Sequence, residues 1–176
     1  MAHPGAAGPA GVLTARLELR RPAEADADAI LRIHRDPLTC EHNPSDMITV
    51  RPEAVDRCRR WRAHWQRHGF GYWVVRRRGA ERVIGFCGLK LMRLHDAPVL
   101  NLFYRLEPAA WGAGLASEAA AAVVEAAPAG RPVIARVRPG NVASARVAVR
   151  AGLHRAEHLD TEGADGLDWI FTTASF

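Results

Sequence analysis

The sequence is poor in lysine, in patterned cysteine and in long apolar segments. Lys90 is the single lysine among 24 basic residues, so the net charge of +5 comes almost entirely from arginine. Together with the abundance of alanine, this bias indicates a GC-rich coding sequence more than a nucleic-acid surface. The basic runs at 59–62 and 76–78 are expected to be solvated parts of a helix and of a strand end. We therefore expect no nucleic-acid partner, although a mild positive field favours an anionic ligand.

The three cysteines, Cys40, Cys58 and Cys87, are odd in number and widely spaced. They form no Cys-x-x-Cys pair and no pattern with histidine that suits a metal. This spacing argues against a disulfide framework, and free buried thiols are the ordinary alternative. We expect no metal site.

No apolar run reaches the roughly 20 residues that a membrane-spanning helix requires. The first dozen residues have neither the basic start nor the apolar centre of a signal peptide. The sequence thus predicts a cytoplasmic protein with no membrane partner. Residues 1–13 are expected to be a disordered tail and residues 14–176 a single domain, because 176 residues with 48% hydrophobic content can bury one core but hardly two.

Hydrophobic periodicity predicts an α/β protein with a mixed sheet, without repeats or linkers. Strands are expected at 16–21, 71–78, 82–94, 99–106, 132–138, 153–158 and 167–173, and helices at 24–35, 52–68, 114–127 and 142–151. A polar loop is expected at 37–50.

The most informative segment is residues 100–125, where an apolar strand leads through a glycine turn into an alanine-rich helix. Pro108 ends the strand, and Gly112 and Gly114 allow a tight turn that leaves several backbone N–H groups unpaired at the helix start. Together with the positive end of the helix dipole, these groups suit a phosphate or pyrophosphate. The turn predicts a phosphate-bearing small molecule, although an ordinary strand-to-helix turn also favours glycine.

Two other phosphate-binding motifs fit this segment less well. A P-loop needs lysine after its last glycine, but Gly114 is followed by Leu115. A dinucleotide-binding turn fits better, since Arg136 and Arg138 on the next strand suit a 2′-phosphate, but Ser117 stands in the place of the third glycine. The chain after the turn is also too short for a doubly wound sheet. An NADP-binding oxidoreductase stays a distant alternative.

A second segment, residues 132–157, predicts a strand, a Pro-Gly turn and a short helix. Asn141 is a good N-cap, Ser144 stands three residues later, and Gly152 suits the left-handed position after the helix.

With both segments in hand, the chain resembles the GNAT acyltransferase family, in particular the branch that includes ribosomal-protein N-terminal acetyltransferases. The family's Asn-x-x-Ser and Ala-Gly-Leu motifs match Asn141, Ser144 and residues 151–153, and the resemblance covers residues 14–173. It implies a central twisted mixed sheet of about six or seven strands flanked by about four helices. The family's pyrophosphate loop falls on Trp111, Gly112, Ala113, Gly114, Leu115 and Ala116, followed by Ser117.

The resemblance implies transfer of the acetyl group of acetyl-CoA to a primary amine, either a protein N-terminus or a small molecule, by direct attack. A backbone N–H on the strand before the glycine turn would stabilise the thioester oxygen. A homodimer is compatible with the family. The implied cofactor contacts are residues 111–117 together with Phe103, Tyr104, Arg105, Leu106, Asn141 and Ser144.

Three residues are candidates for the chemistry. Ser144 matches a position whose hydroxyl lies near the cofactor sulfur in some relatives, and it equally suits an ordinary first-turn serine. Tyr104 is interpreted as packing beside the pantetheine in preference to acid catalysis. Asn101 stands where many members have a glutamate base, and an amide cannot accept a proton at neutral pH.

The missing glutamate leaves the general base open, and it also keeps open a non-catalytic module that binds or senses acyl-CoA. The candidates for the base are Glu107, Glu41, His42, Asp168 and bulk water.

The acceptor is expected between the first helices and the central strands. Trp61 and Trp65 form an i, i+4 pair that core packing explains as well as a ligand wall does. The sequence does not distinguish a peptide N-terminus from an amino acid, a polyamine or an antibiotic amine. The candidate walls and contacts are His42, Asn43, Trp61, Trp65, Phe70, Tyr72 and Trp73.

Overall fold

The computed structural model describes residues 10–174, which contain nine strands and five helices. The helices are α1 (Ala27–Arg35), the single turn α2 (Pro37–Cys40), α3 (Arg51–His68), α4 (Leu115–Glu125) and α5 (Val142–Arg150). The strands are β1 (Gly11–Leu13), β2 (Leu17–Arg20), β3 (Tyr72–Arg77), β4 (Val83–Leu94), β5 (Ala97–Leu106), β6 (Val133–Val137), β7 (His154–Arg155), β8 (Thr161–Gly163) and β9 (Gly166–Thr172).

The strands form one mixed sheet in the order β1-β2-β3-β4-β5-β6-β9-β7, with β8 paired to β9. All pairs in the described chain are antiparallel except β5 with β6. A dinucleotide-binding domain requires a mostly parallel, doubly wound sheet. The topology therefore contradicts the oxidoreductase alternative and agrees with the mixed sheet that the sequence predicts.

The long elements lie where hydrophobic periodicity places them, and the short ones account for the differences. Residues 11–13 were expected in a disordered tail, but they form β1, in which Gly11 pairs with Arg20 and Leu13 with Glu18. Residues 1–9 of that tail lie outside the described residues. β8 and α2 also go beyond the prediction, because three or four residues are too few to show a period.

The sheet separates two apolar layers. On one face α4 packs through Leu115 and Ala119 against Leu100 of β5, and on the other face α1 and α3 pack through Ile30 and Trp61 against β3 and β4. Because side chains alternate along a strand, residues 100, 102, 104 and 106 of β5 face α4, and residues 101, 103 and 105 face the α1 and α3 side.

The sheet opens between β5 and β6. The two strands are in register for only two pairs, Leu100 with Val133 and Asn101 with Ile134. Beyond this point β5 continues beside β4, whereas β6 continues beside β9. The resulting gap leaves backbone groups of both strands facing each other without a ladder, and buried groups of this kind need a partner.

The described chain contains no helix long and apolar enough to cross a membrane. Within the same residues no group of histidine, cysteine and acidic side chains is arranged to hold a metal ion. All three cysteines are buried as free thiols.

Candidate active site

The glycine turn between β5 and α4 has the backbone conformation that the sequence predicts. Gly112 and Gly114 have φ values of 76° and 75°, in the left-handed region. Glu118 is the first residue of α4 to donate a helical hydrogen bond, to the carbonyl of Gly114 at 3.1 Å. The N–H groups of residues 115–117 therefore have no partner within the helix. A Cβ atom at Gly112 would meet nothing within 4 Å, so the turn has room for a phosphate.

Two residues that flank β2 at its start hold this turn in place. The Glu118 carboxylate accepts hydrogen bonds from Thr14 Oγ1 (2.6 Å), from Arg16 N (2.8 Å) and from Arg16 Nε (2.6 Å). Arg16 Nη1 donates in turn to the carbonyl of Ala113 at 2.8 Å. Burial alone would raise the pKa of Glu118, but the bonds from Thr14 and Arg16 lower it. Glu118 thus acts as an ionised anchor, and it presents the Arg16 guanidinium beside the turn.

Trp111 fixes the other end of the turn. Its indole Nε1 donates to the carbonyl of Leu106 at 2.8 Å, while half of the side chain is exposed. The bond joins the first residue of the loop to the last residue of β5, so the loop keeps a fixed position against the gap.

A backbone amide of β5 faces the gap. Leu100 donates its N–H across to the carbonyl of Pro132, on the β6 side, at 2.9 Å. Since N–H groups alternate in direction along a strand, the N–H of Tyr104 points to the same side. Tyr104 lies beyond Asn101, where the registered β5–β6 pairs end. Its amide is therefore a candidate donor to an oxyanion, inside the stretch 103–105 that the sequence indicates.

The Tyr104 and Ser144 hydroxyls meet on the α5 side of the gap. Tyr104 Oη donates to the Ser144 carbonyl at 2.8 Å and lies 2.7 Å from Ser144 Oγ. Asn141 is the N-cap of α5, where its Oδ1 accepts from the Ser144 N–H at 3.0 Å. Burial raises the pKa of Tyr104, so the phenol keeps its proton at neutral pH. Three predicted site residues are thus in one hydrogen-bonded group.

A cavity of about 610 Å³ lies on the opposite face of the sheet. This volume is in the usual range for sites that bind small ligands. Its floor includes Asn101, Phe103 and Arg105 of β5, and its walls include the predicted acceptor residues Asn43, Trp61 and Tyr72. The gap between β5 and β6 therefore lies between this cavity and the glycine turn.

The other predicted acceptor residues do not line this cavity. Trp65 and Trp73 pack edge to face, with ring centroids 4.3 Å apart, in the core layer of α4. Trp73 follows Tyr72 on β3, and successive strand residues face opposite sides, so only one of the two can face the cavity. Phe70 packs against His64 at 5.1 Å. His42 also lies outside the lining residues.

The carboxylates predicted as bases are paired or lie elsewhere. Glu107 is buried in an ion pair with Arg32 and with Arg82, 2.8 Å from Arg82 Nη2. Burial opposes ionisation there, but the two arginines lower the pKa of Glu107. Glu41 is exposed and outside the cavity lining.

Asp168 does line the cavity, between two arginines. Its carboxylate lies 3.6 Å from Arg136 Nη1 and 3.0 Å from Arg138 Nη1. Asp168 is thus engaged by the two arginines at the end of β6, and it belongs to the charged wall of the cavity.

Asn101 stands at the end of the β5–β6 ladder, on the cavity face. It is level with Lys90 on β4 and with Ile134 on β6. Its side-chain Oδ1 is buried and has no hydrogen-bond partner among the described residues. An unpartnered buried acceptor is costly and indicates a site for an N–H donor.

Sequence reasoning missed His34 and Asp46, which meet at the cavity. Asp46 Oδ2 lies 2.7 Å from Arg105 Nη1, and Asp46 Oδ1 lies 3.0 Å from Arg57 Nη1. Asp46 belongs to the polar loop, where no periodicity marks a functional side chain. The buried face of α1 includes Ile30, Ile33 and His34. This helical spacing is the sequence signal that predicts a buried position for the histidine.

His34 is fully buried and uncharged. Its Nδ1 lies 3.0 Å from the Ile30 carbonyl, which assigns the ring proton to Nδ1 and leaves a lone pair on Nε2. Nε2 is 4.0 Å from Asp46 Oδ2, and it has no hydrogen-bond partner within the described chain. Burial, reinforced by the charges of Arg105 and Arg57, lowers the pKa of His34 to about 2.

Comparison with known proteins identifies similar sequences and folds. Residues 16–154 match the family described as acetyltransferase (GNAT) domain. The uncharacterized protein YkkB of Bacillus subtilis is 30% identical over 127 residues, which cover 66% of this chain and 73% of YkkB. An acetyltransferase from Agrobacterium tumefaciens superposes with a TM-score of 0.78 at 24% identity, covering 94% of each chain. RimL, a ribosomal L7/L12 α-N-protein acetyltransferase solved with coenzyme A, superposes with a TM-score of 0.75 at 17% identity, covering 92% of this chain and 95% of RimL.

Proposed function

Because the chain belongs to the GNAT acetyltransferase family, we propose that it transfers the acetyl group of acetyl-CoA to a primary amine by direct attack. The observation that carries the proposal is the gap between β5 and β6. The glycine turn and the Tyr104–Ser144 pair lie on one side of this gap, and the cavity lies on the other. Such an arrangement lets a thioester and an amine approach each other through the sheet.

The residues that are present fit acetyl-CoA. The unpaired N–H groups of residues 115–117, the positive end of α4 and the guanidinium of Arg16 would hold the pyrophosphate. The backbone of β5 beyond Asn101 offers unpaired groups to the pantetheine. Acetyl-CoA supplies an activated acetyl thioester. RimL, which has the same fold, was solved with coenzyme A.

We assign the other parts of the reaction, which are oxyanion stabilisation, orientation of the amine and proton removal, to groups of the chain and to water. The Tyr104 N–H would donate to the carbonyl oxygen of the acetyl group, where negative charge develops during attack. Asn101 Oδ1 accepts an N–H of the incoming amine and orients it. The three carboxylates that line the cavity are each bonded to a guanidinium or a hydroxyl group. We therefore assign proton removal to water, which suits an α-amino group whose ordinary pKa is about 7.7 to 8.0.

Replacing Ser144 with alanine is expected to lower kcat by about 10- to 100-fold, because we assign the Tyr104–Ser144 hydroxyl pair as the proton source for the departing thiolate. The Kd for acetyl-CoA should change by less than threefold, since the Asn141 cap uses the backbone N–H of residue 144. Steady-state thiol release and calorimetry measure the two quantities separately.

Tyr104→Phe is the matched control for this prediction. It removes the other hydroxyl of the same pair and keeps the ring that packs against the α4 layer. If only the tyrosine variant loses turnover, the proton comes from Tyr104, and Ser144 is an ordinary residue of the first turn. Unchanged kcat in both variants would contradict the assignment of the hydroxyl pair to proton transfer.

The proposal is tested by calorimetric titration with acetyl-CoA, with NADPH as the control ligand, followed by assays of thiol release with primary amines and short peptides. Binding of acetyl-CoA with amine-dependent release supports the enzyme. Binding without release for every amine would favour the sensing module, and no binding would contradict the assignment of the glycine turn.

A further inference from the structure

The cavity on the α1 and α3 side carries more positive than negative charge. Three acidic side chains face six basic ones, and one of the basic ones, Arg60, pairs at 3.4 Å with Asp56 outside the lining. An excess of two positive charges remains in a space that lies partly inside the protein. The acidic side chains are Asp46, Asp165 and Asp168, and the basic ones are Arg57, Arg60, Lys90, Arg105, Arg136 and Arg138.

Four of the basic side chains form two arginine clusters. Arg57 and Arg105 share the single carboxylate of Asp46, and Arg136 and Arg138 share that of Asp168. The side chains of Arg105 and Arg138 are only 7% and 11% exposed. The Arg57–Arg105 cluster thus retains one positive charge that water solvates poorly, and such a charge is costly unless an anion joins it.

The third carboxylate, Asp165, has a pKa lowered by its hydrogen bonds from Ser45 and by the charge of Arg138, so it offsets part of the charge of the Arg136–Arg138 cluster. Asp165 accepts hydrogen bonds from Ser45 N at 3.0 Å and from Ser45 Oγ at 2.6 Å. These bonds tie the loop before α3 to the turn between β8 and β9, so Asp165 closes the cavity wall.

The arginines stand on both sides of the gap between β5 and β6. Arg105 is on β5 and Arg136 is on β6, and both lie beyond Asn101 and Ile134, where the paired register ends. They face the cavity, whereas the glycine turn lies with α4 on the other face of the sheet. The cavity arginines are therefore not needed for the pyrophosphate of the cofactor.

The same cavity contains buried acceptors without donors. His34 Nε2, on a fully buried ring, and Asn101 Oδ1 have no partner among the described residues. His34 Nε2 lies 4.0 Å from Asp46 Oδ2, which accepts from Arg105 Nη1, so the lone pair of the histidine is itself left without a donor. The cavity thus calls for a ligand that brings both N–H donors and an anionic group, with Trp61 and Tyr72 as its apolar walls.

We propose that the acceptor is a primary amine that also carries an oxyanion, a carboxylate or a phosphate, which the arginines flanking the gap bind. The inference rests on the proposed acetyl transfer and specifies its acceptor. An amine with a hydroxyl or an amide in place of the oxyanion leaves the cavity with its excess positive charge, and it should bind more weakly.

The test compares matched pairs of amines by calorimetry, with the protein alone and with coenzyme A present. One pair is the tripeptide amide Gly-Gly-Asp and its Gly-Gly-Asn analogue, and the other is 6-aminohexyl phosphate and 6-aminohexanol. We expect a Kd at least tenfold lower for the anionic member of one pair or both, and the pair with the larger ratio identifies the oxyanion. Equal Kd values within both pairs would overturn the inference.

Two variants locate the preference in the cavity. Arg136→Gln removes a guanidinium that is 39% exposed, so the fold should tolerate it, and the tenfold ratio should fall to about threefold or less. Arg131→Gln changes the net charge equally at an exposed position before β6, outside the cavity lining, and should keep the full ratio. If both variants keep it, the preference comes from the overall field of the protein, and the assignment to the cavity is wrong.

Measurements of binding and of turnover distinguish a failure of the oxyanion site from a failure of the proposed acetyl transfer. The Kd ratio is measured without any acetyl transfer, so it tests the oxyanion site even if no amine is acetylated. Thiol release with both members of a pair at equal rates and equal Kd would support the acetyltransferase and contradict the oxyanion site.

Discussion

Replacing Gly114 with aspartate is expected to weaken acetyl-CoA binding at least a hundredfold. The residue immediately precedes α4, whose first three N–H groups have no helical partner. Two like charges 4 Å apart repel by roughly 4 kcal/mol at the effective dielectric constant of a protein surface. A hundredfold loss corresponds to about 2.7 kcal/mol, so it allows for partial screening. Calorimetric titration with acetyl-CoA measures the change.

Gly130→Asp is the matched control for this substitution. Gly130 has φ of 89°, close to the 75° of Gly114, so both variants carry similar backbone strain. A Cβ at Gly130 meets nothing within 4 Å, and the residue lies in the loop between α4 and β6, at the opposite end of the helix. The control should therefore bind acetyl-CoA like the parent. If Gly114→Asp also binds like the parent, the pyrophosphate does not lie at the start of α4.

The second large effect concerns the stability of the fold in mild acid. His34 is uncharged in the folded protein, where burial lowers its pKa to about 2 from an ordinary value of 6.5. The unfolded chain therefore binds a proton near pH 6.5 that the folded protein excludes. The contribution of His34 to stability is present above pH 6.5 and is lost as the pH falls below that value. Between pH 7.5 and pH 5.0 the expected loss is about 2 kcal/mol from this residue alone.

Denaturant unfolding at several pH values measures this loss. His34→Asn keeps a short amide near the Ile30 carbonyl and cannot titrate, so its free energy of unfolding should fall less steeply with acid than that of the parent. His64 is half-buried and has a pKa lowered mainly by burial, so it also makes the free energy of unfolding fall in acid. It is therefore kept unchanged in the parent and in the His34→Asn variant. The exposed His154→Asn variant is the control, and it should keep the parent's slope. A parental slope in His34→Asn would mean that the ring is protonated in the folded protein.

Local signals were sufficient for the conformation of the glycine turn and for the cap of α5, the side of the candidate site that we propose for the cofactor. Gly112 and Gly114 predict a left-handed turn, and both residues have positive φ. Asn141 predicts an N-cap and makes the expected bond to the Ser144 N–H. These features depend on residues that are close in the chain, so composition and spacing carry the information.

The acceptor side depends on contacts between distant segments, and the sequence interpretation was less successful there. The cofactor contact of Arg105 through its strand backbone stays a prediction, but sequence reasoning did not foresee that its side chain faces the cavity and binds Asp46, 59 residues away in the chain. Trp65 and Trp73 were predicted as ligand walls and lie in the core. Aromatic composition gave no information about which face of the sheet each ring would occupy.

By itself, the sequence determined the order of the main helices and strands, the glycine turn and the cap of α5, because each follows from local backbone preference and hydrophobic period. Only the tertiary structure decided where β5 and β6 separate, which side chains share the cavity, and that two arginines meet each of Asp46 and Asp168. The physical reason is that electrostatic pairing and desolvation act through space. The charge excess of the cavity therefore becomes visible only when helices, loops and strands from the whole chain are packed together.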